Sequence, residues 1–249
     1  MAFDPHFTVL DETADYIVVN KPAPLQAHPS NPGCAPTLWD GLRELLAFEI
    51  VNGGQVSIIN RLDRETSGVT LIAKNAAAAR QFGLAMQARQ FHKSYLAVVL
   101  GWPEWEVLRA DGPILRKGEV MPSPIWVKQM VHPDGAPCET NFRVLERGGS
   151  TALPLSLVEA MPVTGRMHQI RVHLSHLGHP ILGDKIYGQD ETCYLDFIDT
   201  GWSEDLAGRL HLKRQALHAH RLGLVTDTLT AEWVAPCPDL FASALAGRL

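Results

Sequence analysis

Apolar positions along the chain follow two periods. Continuous β-branched and aromatic runs at 16–20 (YIVVN), 69–73 (VTLIA) and 93–101 (KSYLAVVLG) read as strands, as do the alternating segments 139–146 and 153–159. Helical spacing of Leu38, Leu42, Leu45, Leu46 and Ile50 predicts a helix capped by Thr37 and running to about residue 51. Asn75 is placed to cap an alanine-rich helix over 76–90. A further helix is expected from Thr164-Gly165 to about Leu177, with Gly178 as its cap. Its apolar stripe would be Met167, Ile170, Leu174 and Leu177, with His168, Arg171 and Ser175 on another face. Pro22, Pro24, Pro29, Pro32 and Pro36 mark a long loop, and 102–137 reads as hairpins and loops. Strands are expected again over 216–234. The mixture predicts an α+β fold with an antiparallel or mixed sheet, in one domain spanning 1–249 without internal repeats.

Composition changes this picture little; charge placement changes it more. The chain of 249 residues is 46% hydrophobic and 20% charged, ordinary for a globular protein. No apolar run approaches a membrane span, and the start shows no secretory pattern. Cys34, Cys138, Cys193 and Cys237 form no CxxC pair, which suits a reducing cytoplasm. A net charge of −5 argues at first against a nucleic-acid partner. Residues 60–95, however, carry a local +4, while 189–208 carry a local −6 and read as an exposed acidic excursion. A basic face for phosphates is therefore compatible with the total.

Three segments carry candidate chemistry. In NRLDRETSG (60–68), Asp63 stands on a connection between apolar runs, flanked by Arg61 and Arg64. Nearby cations favour an ionised carboxylate, which can act as nucleophile or base; a turn aspartate beside Thr-Ser-Gly fits the same residues. In TGRMHQIRVH (164–173), Arg171 can present a guanidinium fork to an anion and Arg166 lies near the expected helix start, or both belong to a solvated face. Tyr95 is a core aromatic, a surface strand residue or a base-stacking platform. His168, His173, His176 and His179 fan around a helix rather than converge, so no metal site is expected. The chain has no P-loop, no GxGxxG and no GxSxG.

Taken in order, YIVVNKP with His28-Pro29, NRLDRETSGVTLIAKN, KSYLAVVLG, TGRMHQIRVHLSHLGHPILGDKIYG and LHAHRLGL resemble the RluA-type pseudouridine synthase family over nearly the whole chain. The resemblance implies a mostly antiparallel mixed sheet in two halves, flanked by helices, with a cleft between the halves. It implies that Asp63 is the essential aspartate and that Arg171 pairs with it. Tyr95 would stack on the target base, and Arg61 would govern access of the flipped nucleotide. Arg64, Lys93, Arg166 and His168 complete the RNA-binding candidates. The family uses no metal or organic cofactor, and a cytoplasmic monomer acting on ribosomal or transfer RNA is the expectation. Two rivals stand beside it: a catalytically silent RNA-binding or RNA-folding protein on the same scaffold, and a carboxylate-dependent glycosidase or nucleosidase. Two departures stand out. Position 60 is asparagine where many relatives have histidine, and the small basic RNA-binding domain that many relatives carry in front is not expected here.

Overall fold

A computed structural model describes residues 7–30, 36–188 and 190–248. Pro32 and Cys34 of the proline-rich loop, and Gln189 at the head of the acidic segment, lie outside them. Along the chain the strands are β1 (Thr8–Glu12), β2 (Tyr16–Lys21), β3 (Ser57–Ile58), β4 (Ser67–Ala73), β5 (Phe91–Leu100), β6 (Val107–Ala110), β7 (Ile114–Arg116), β8 (Gln129–Val131), β9 (Thr140–Gly149), β10 (Pro154–Pro162), β11 (Leu217–Val225) and β12 (Thr230–Val234). The helices are α1 (Leu38–Leu45), α2 (Ala47–Val51), α3 (Ala76–Gln87), α4 (Gln169–His176), α5 (Thr192–Thr200), α6 (Glu204–Leu210) and α7 (Asp239–Leu245). The fold is α+β with a mostly antiparallel sheet. The chain divides into two compact units, residues 1–93 with 219–236, and residues 94–218 with 237–249.

In the first unit the strand order is β1-β2-β4-β11, with β3 added to β4 and β12 to β11. Side chains alternate across a strand, and here both faces are covered. Tyr16, Val18, Val69 and Leu71 pack with Phe82, Phe91, Leu222 and Trp233, while Ile17, Val19 and Ile72 pack with Leu38, Leu42 and Leu46. Burial on both faces is why β2 and β4 read as continuous apolar runs. The Asn75 side chain accepts from the Ala78 N–H at 2.9 Å, which starts α3. At α1 the Asp40 carboxylate accepts from both the Thr37 N–H and the Thr37 hydroxyl, each at 2.8 Å. The expected single helix over 38–51 is broken at Leu46, and Leu45 is 51% exposed rather than part of the core.

In the second unit the order is β5-β10-β9-β6, and β7 pairs with β8 as a separate antiparallel pair. Leu96, Val98, Phe142, Leu155, Val158 and Phe241 anchor its core. The helix expected from residue 165 begins only at Gln169. Arg166, Met167 and His168 therefore precede it, and Met167 is 50% exposed instead of joining the apolar stripe. The acidic segment is also more than an exposed excursion. It forms α5 and α6, and its Cys193, Leu206 and Leu210 are buried against Phe197 and Trp202. Among the described residues, no helix is long and apolar enough to cross a membrane.

Candidate active site

The Asp63 segment leaves the sheet of the first unit by a defined exchange of partners. β3 pairs with β4 at Ser57↔Ala73 and Ile58↔Ile72, and the Ile59 N–H continues the ladder to the Leu71 carbonyl at 2.9 Å. The next residue changes partner type. The buried Asn60 side chain accepts from the Leu71 N–H at 2.7 Å and donates to the Val69 carbonyl at 2.9 Å. A side-chain amide carries a donor and an acceptor much as a peptide group does, so it closes the ladder while the backbone turns away. Leu62 is buried beneath the turn, and the Thr66 N–H donates to the Asp63 carbonyl at 3.1 Å. Asp63 emerges half-buried between exposed Arg61 and Arg64. Read from the sequence, Asn60 was only a departure from the family pattern; its two β4 bonds make it part of what positions Asp63.

A second clamp holds the far side of the turn. The Leu25 N–H donates to the Arg64 carbonyl at 2.9 Å. Lys21 is fully buried, and its ammonium donates to the carbonyls of Pro22 at 2.9 Å, Leu25 at 2.8 Å and Arg64 at 3.3 Å. A buried charge needs such partners, and these three join β2, the proline-rich loop and the Asp63 turn. His28, in that loop, is held toward its neutral form by burial and by the charge of Arg61.

The remaining candidates belong mainly to the second unit. Tyr95 is half-buried on β5, opposite Ala160 of β10, and packs against the core. Lys93, the last residue of the first unit, has its ammonium pushed below the ordinary lysine range by burial. Arg171 lies on α4 and is 6% exposed, so it is no solvated face residue. Its guanidinium forks onto Asp184, Nε to Oδ2 at 2.7 Å and an Nη to Oδ1 at 2.9 Å. Burial alone would raise the Asp184 carboxyl. The Arg171 charge and hydrogen bond, with the N–H groups of Tyr187 and Ile186, outweigh it and hold the group below the ordinary carboxylate range. Asp184 and Tyr187 were not singled out in the sequence, although both lie in the quoted GHPILGDKIYG segment.

The turn before α4 is built by Gln169. Its carbonyl accepts from the Thr164 hydroxyl at 2.8 Å and the Arg166 N–H at 2.9 Å, while its amide donates to the Glu139 carbonyl and to Thr140 Oγ1. His168 adopts φ +57°, a left-handed conformation uncommon outside glycine. Its Nδ1 lies 2.8 Å from the Tyr187 hydroxyl, which itself accepts from the Gln129 N–H at 2.8 Å. The Tyr187 ring lies 5.0 Å from the Arg171 guanidinium carbon. Arg171, Asp184, Tyr187 and His168 thus form one connected cluster. His173 is separate: it is buried and held toward its neutral form mainly by burial, with Nε2 on the Gly112 carbonyl at 2.9 Å.

A family model described as RNA pseudouridylate synthase matches residues 15–176. The chain is 38% identical over 223 residues to an RNA pseudouridine synthase of Chloroflexus aurantiacus, covering 88% of this chain and 62% of that protein. It is 36% identical over 242 residues to the ribosomal large subunit pseudouridine synthase D of Nitrosomonas europaea, covering 95% and 64%. It therefore spans a little under two thirds of the length of these relatives. Among solved structures, Human RNA Pseudouridylate Synthase Domain Containing 4 is similar with a TM-score of 0.73 and 27% identity, over 95% of this chain and 91% of that one. Human RNA Pseudouridylate Synthase Domain Containing 1 is similar with a TM-score of 0.70 and 28% identity, over 93% and 84%.

Proposed function

The chain belongs to the RNA pseudouridylate synthase family, and from that premise we propose that it isomerises uridine to pseudouridine in RNA, with Asp63 as the catalytic carboxylate. The carrying observation is the Asp63 turn, fastened to β4 by Asn60 and to the proline-rich loop by Lys21 and Leu25, inside the region the family model matches. Isomerisation breaks the N1–C1′ bond, turns the uracil and joins C5 to C1′. A carboxylate can attack C1′, add to C6 or take the 2′ proton, and each route needs a positioned, ionised group. The target nucleotide must leave its stack, at a cost of a few kcal/mol. Tyr95 is assigned to stacking on the uracil and Arg171 to the catalytic set. Arg61, Arg64, Lys93, Arg166 and His168 are assigned to the RNA backbone. Ribosomal RNA is the first substrate to test, because relatives of this chain are named for the large ribosomal subunit; transfer RNA is the second. The reading includes a cytoplasmic monomer.

The test is a pseudouridine map of cellular RNA from a deletion strain. Specific sites are expected to disappear, to return with the wild-type gene and to stay absent with Asp63→Ala. An unchanged map on deletion, or full rescue by Asp63→Ala, overturns the assignment.

A further inference from the structure

One row of side chains in the first unit starts from residues with no part in the chemistry assigned above and ends at Arg61. Arg43 and Trp39 sit four residues apart on α1, and the Arg43 guanidinium carbon lies 4.6 Å from the Trp39 ring centroid. The His28 ring also lies beside Trp39, with centroids 6.5 Å apart and planes inclined by 37°. Arg61 comes next, close enough for its charge to act on His28. The sequence along the row is cation, aromatic, aromatic, cation. Trp39 and His28 are half-buried, and Arg43 and Arg61 are exposed. Among the described residues neither arginine makes an ion pair, in contrast to Arg143 with Glu159 or Arg209 with Asp196.

The row is also tied in place. The first N–H groups of α1 donate to the proline-rich loop, Leu38 to Gln26 at 2.8 Å and Trp39 to Ala27 at 3.1 Å, which sets His28 beside Trp39. The same loop is fastened to the Asp63 turn through Leu25 and Lys21. The row therefore keeps a fixed register with the carboxylate. Aromatic rings flanked by cations that make no ion pair are the chemistry that holds unpaired nucleotides: bases stack on the rings and phosphates meet the guanidinium groups. Duplex offers no free base faces to such a row.

We propose that Arg43, Trp39 and His28 form a docking row for the single-stranded RNA flanking the target uridine, leading to Arg61 at the Asp63 turn. This rests on the pseudouridine synthase reading for the identity of the target nucleotide, but its test reads binding without turnover. The probe is a fluorescein-labelled single-stranded RNA of about twelve nucleotides with one uridine, and the same strand annealed to its complement. Wild type, Trp39→Ala, Trp39→Phe, Arg43→Glu and Arg80→Glu are titrated by fluorescence anisotropy. Arg80, exposed on α3, is the charge-matched control. Trp39→Ala and Arg43→Glu are expected to weaken single-strand binding roughly tenfold, Trp39→Phe two- to threefold at most, and Arg80→Glu not at all. Duplex binding should be weaker than single-strand binding in the wild type and unchanged by Trp39→Ala. In turnover assays, Arg43→Glu should raise KM and leave kcat within twofold. Wild-type single-strand affinity in both Trp39→Ala and Arg43→Glu overturns the row. So does an equal loss in Arg80→Glu, which marks general charge attraction, and so does full loss in Trp39→Phe, which marks a packing defect. If the row variants bind as expected while the wild type modifies no RNA, the docking surface stands and the isomerase reading fails.

Discussion

At the scale of single residues, the Arg171–Asp184 pair is the arrangement with the highest stakes. Both groups are buried, and the fork places two guanidinium N–H groups on the two oxygens of one carboxylate. Removing one partner of a buried pair strands the other charge, at about 3–5 kcal/mol. Asp184→Asn should therefore lower the urea midpoint markedly at about pH 7. The sign with pH follows from the depressed carboxyl of Asp184. Its folded value lies below the unfolded value near 4, so its contribution is complete above about pH 4 and is lost as pH falls through the folded value. The gap between wild type and Asp184→Asn should narrow on moving from about pH 7 to about pH 3. A gap of constant size would remove the ion pair as its cause. Asp63, Tyr95 and Arg171 could be named as candidates from the sequence because they sit in motifs. Asp184 was not, since a carboxylate thirteen residues beyond Arg171 looks like any turn aspartate until α4 and the following turn bring the two together.

At the scale of elements, the apolar patterns located β2, β4, β5, β9, β10 and β11, because each buries enough side chains to leave a continuous or alternating run. They misplaced the start of α4. Met167 and Ile170 have helical spacing, but Gln169 spends its side chain on the turn at Thr164 and Arg166, and His168 is left-handed. Side-chain hydrogen bonds won over periodicity there. β1 and α7 went unread; β1 is half-exposed with a weak pattern, and α7 is a short helix at the end of the chain. Gly68 marks where β4 meets β11. Its φ is +118°, and a Cβ there would collide with the Ala219 carbonyl oxygen. Gly68→Ala should cost about 1–3 kcal/mol from backbone strain, with overpacking of similar size added. Gly83→Ala in α3, where nothing lies within 4 Å of the new methyl, should instead gain about 0.4–1 kcal/mol. Chemical denaturation of the two variants checks both signs, and equal midpoints would refute the argument.

At the scale of the whole molecule, the net charge of −5 hides how the charges are used. Much of the acidity of 189–208 is answered locally. Arg209, one residue beyond that segment, bonds Asp190, Asp196 and Asp205, and Lys117 and Lys128 both reach Glu191. The charge count was legible from the sequence; the Glu191 partners were not, because Lys117 and Lys128 come from elsewhere in the second unit. Arg43 and Arg61, by contrast, remain available to phosphates. An acidic protein should then bind single-stranded RNA with a salt dependence set by its few unpaired cations rather than by its total charge. With three to five phosphates neutralised, log affinity should fall against log salt with a slope of about −2 to −4. Anisotropy titrations between about 50 and 200 mM KCl measure it, and a slope near zero would rule out phosphate contacts as the source of affinity.

The Asn60 amide has a consequence for how the protein ages. Asparagine deamidates when the next backbone nitrogen reaches its side-chain carbonyl carbon. At position 60 that side chain is stretched along β4 by two hydrogen bonds, so the attack is blocked while the fold persists. Once the strand frays, hydrolysis replaces the donor with a second oxygen facing the Val69 carbonyl, and the edge of β4 cannot reseal as before. A histidine at this position has no such clock. Heat or long storage can thus write an Asn60→Asp lesion beside the Asp63 turn without any change in the gene.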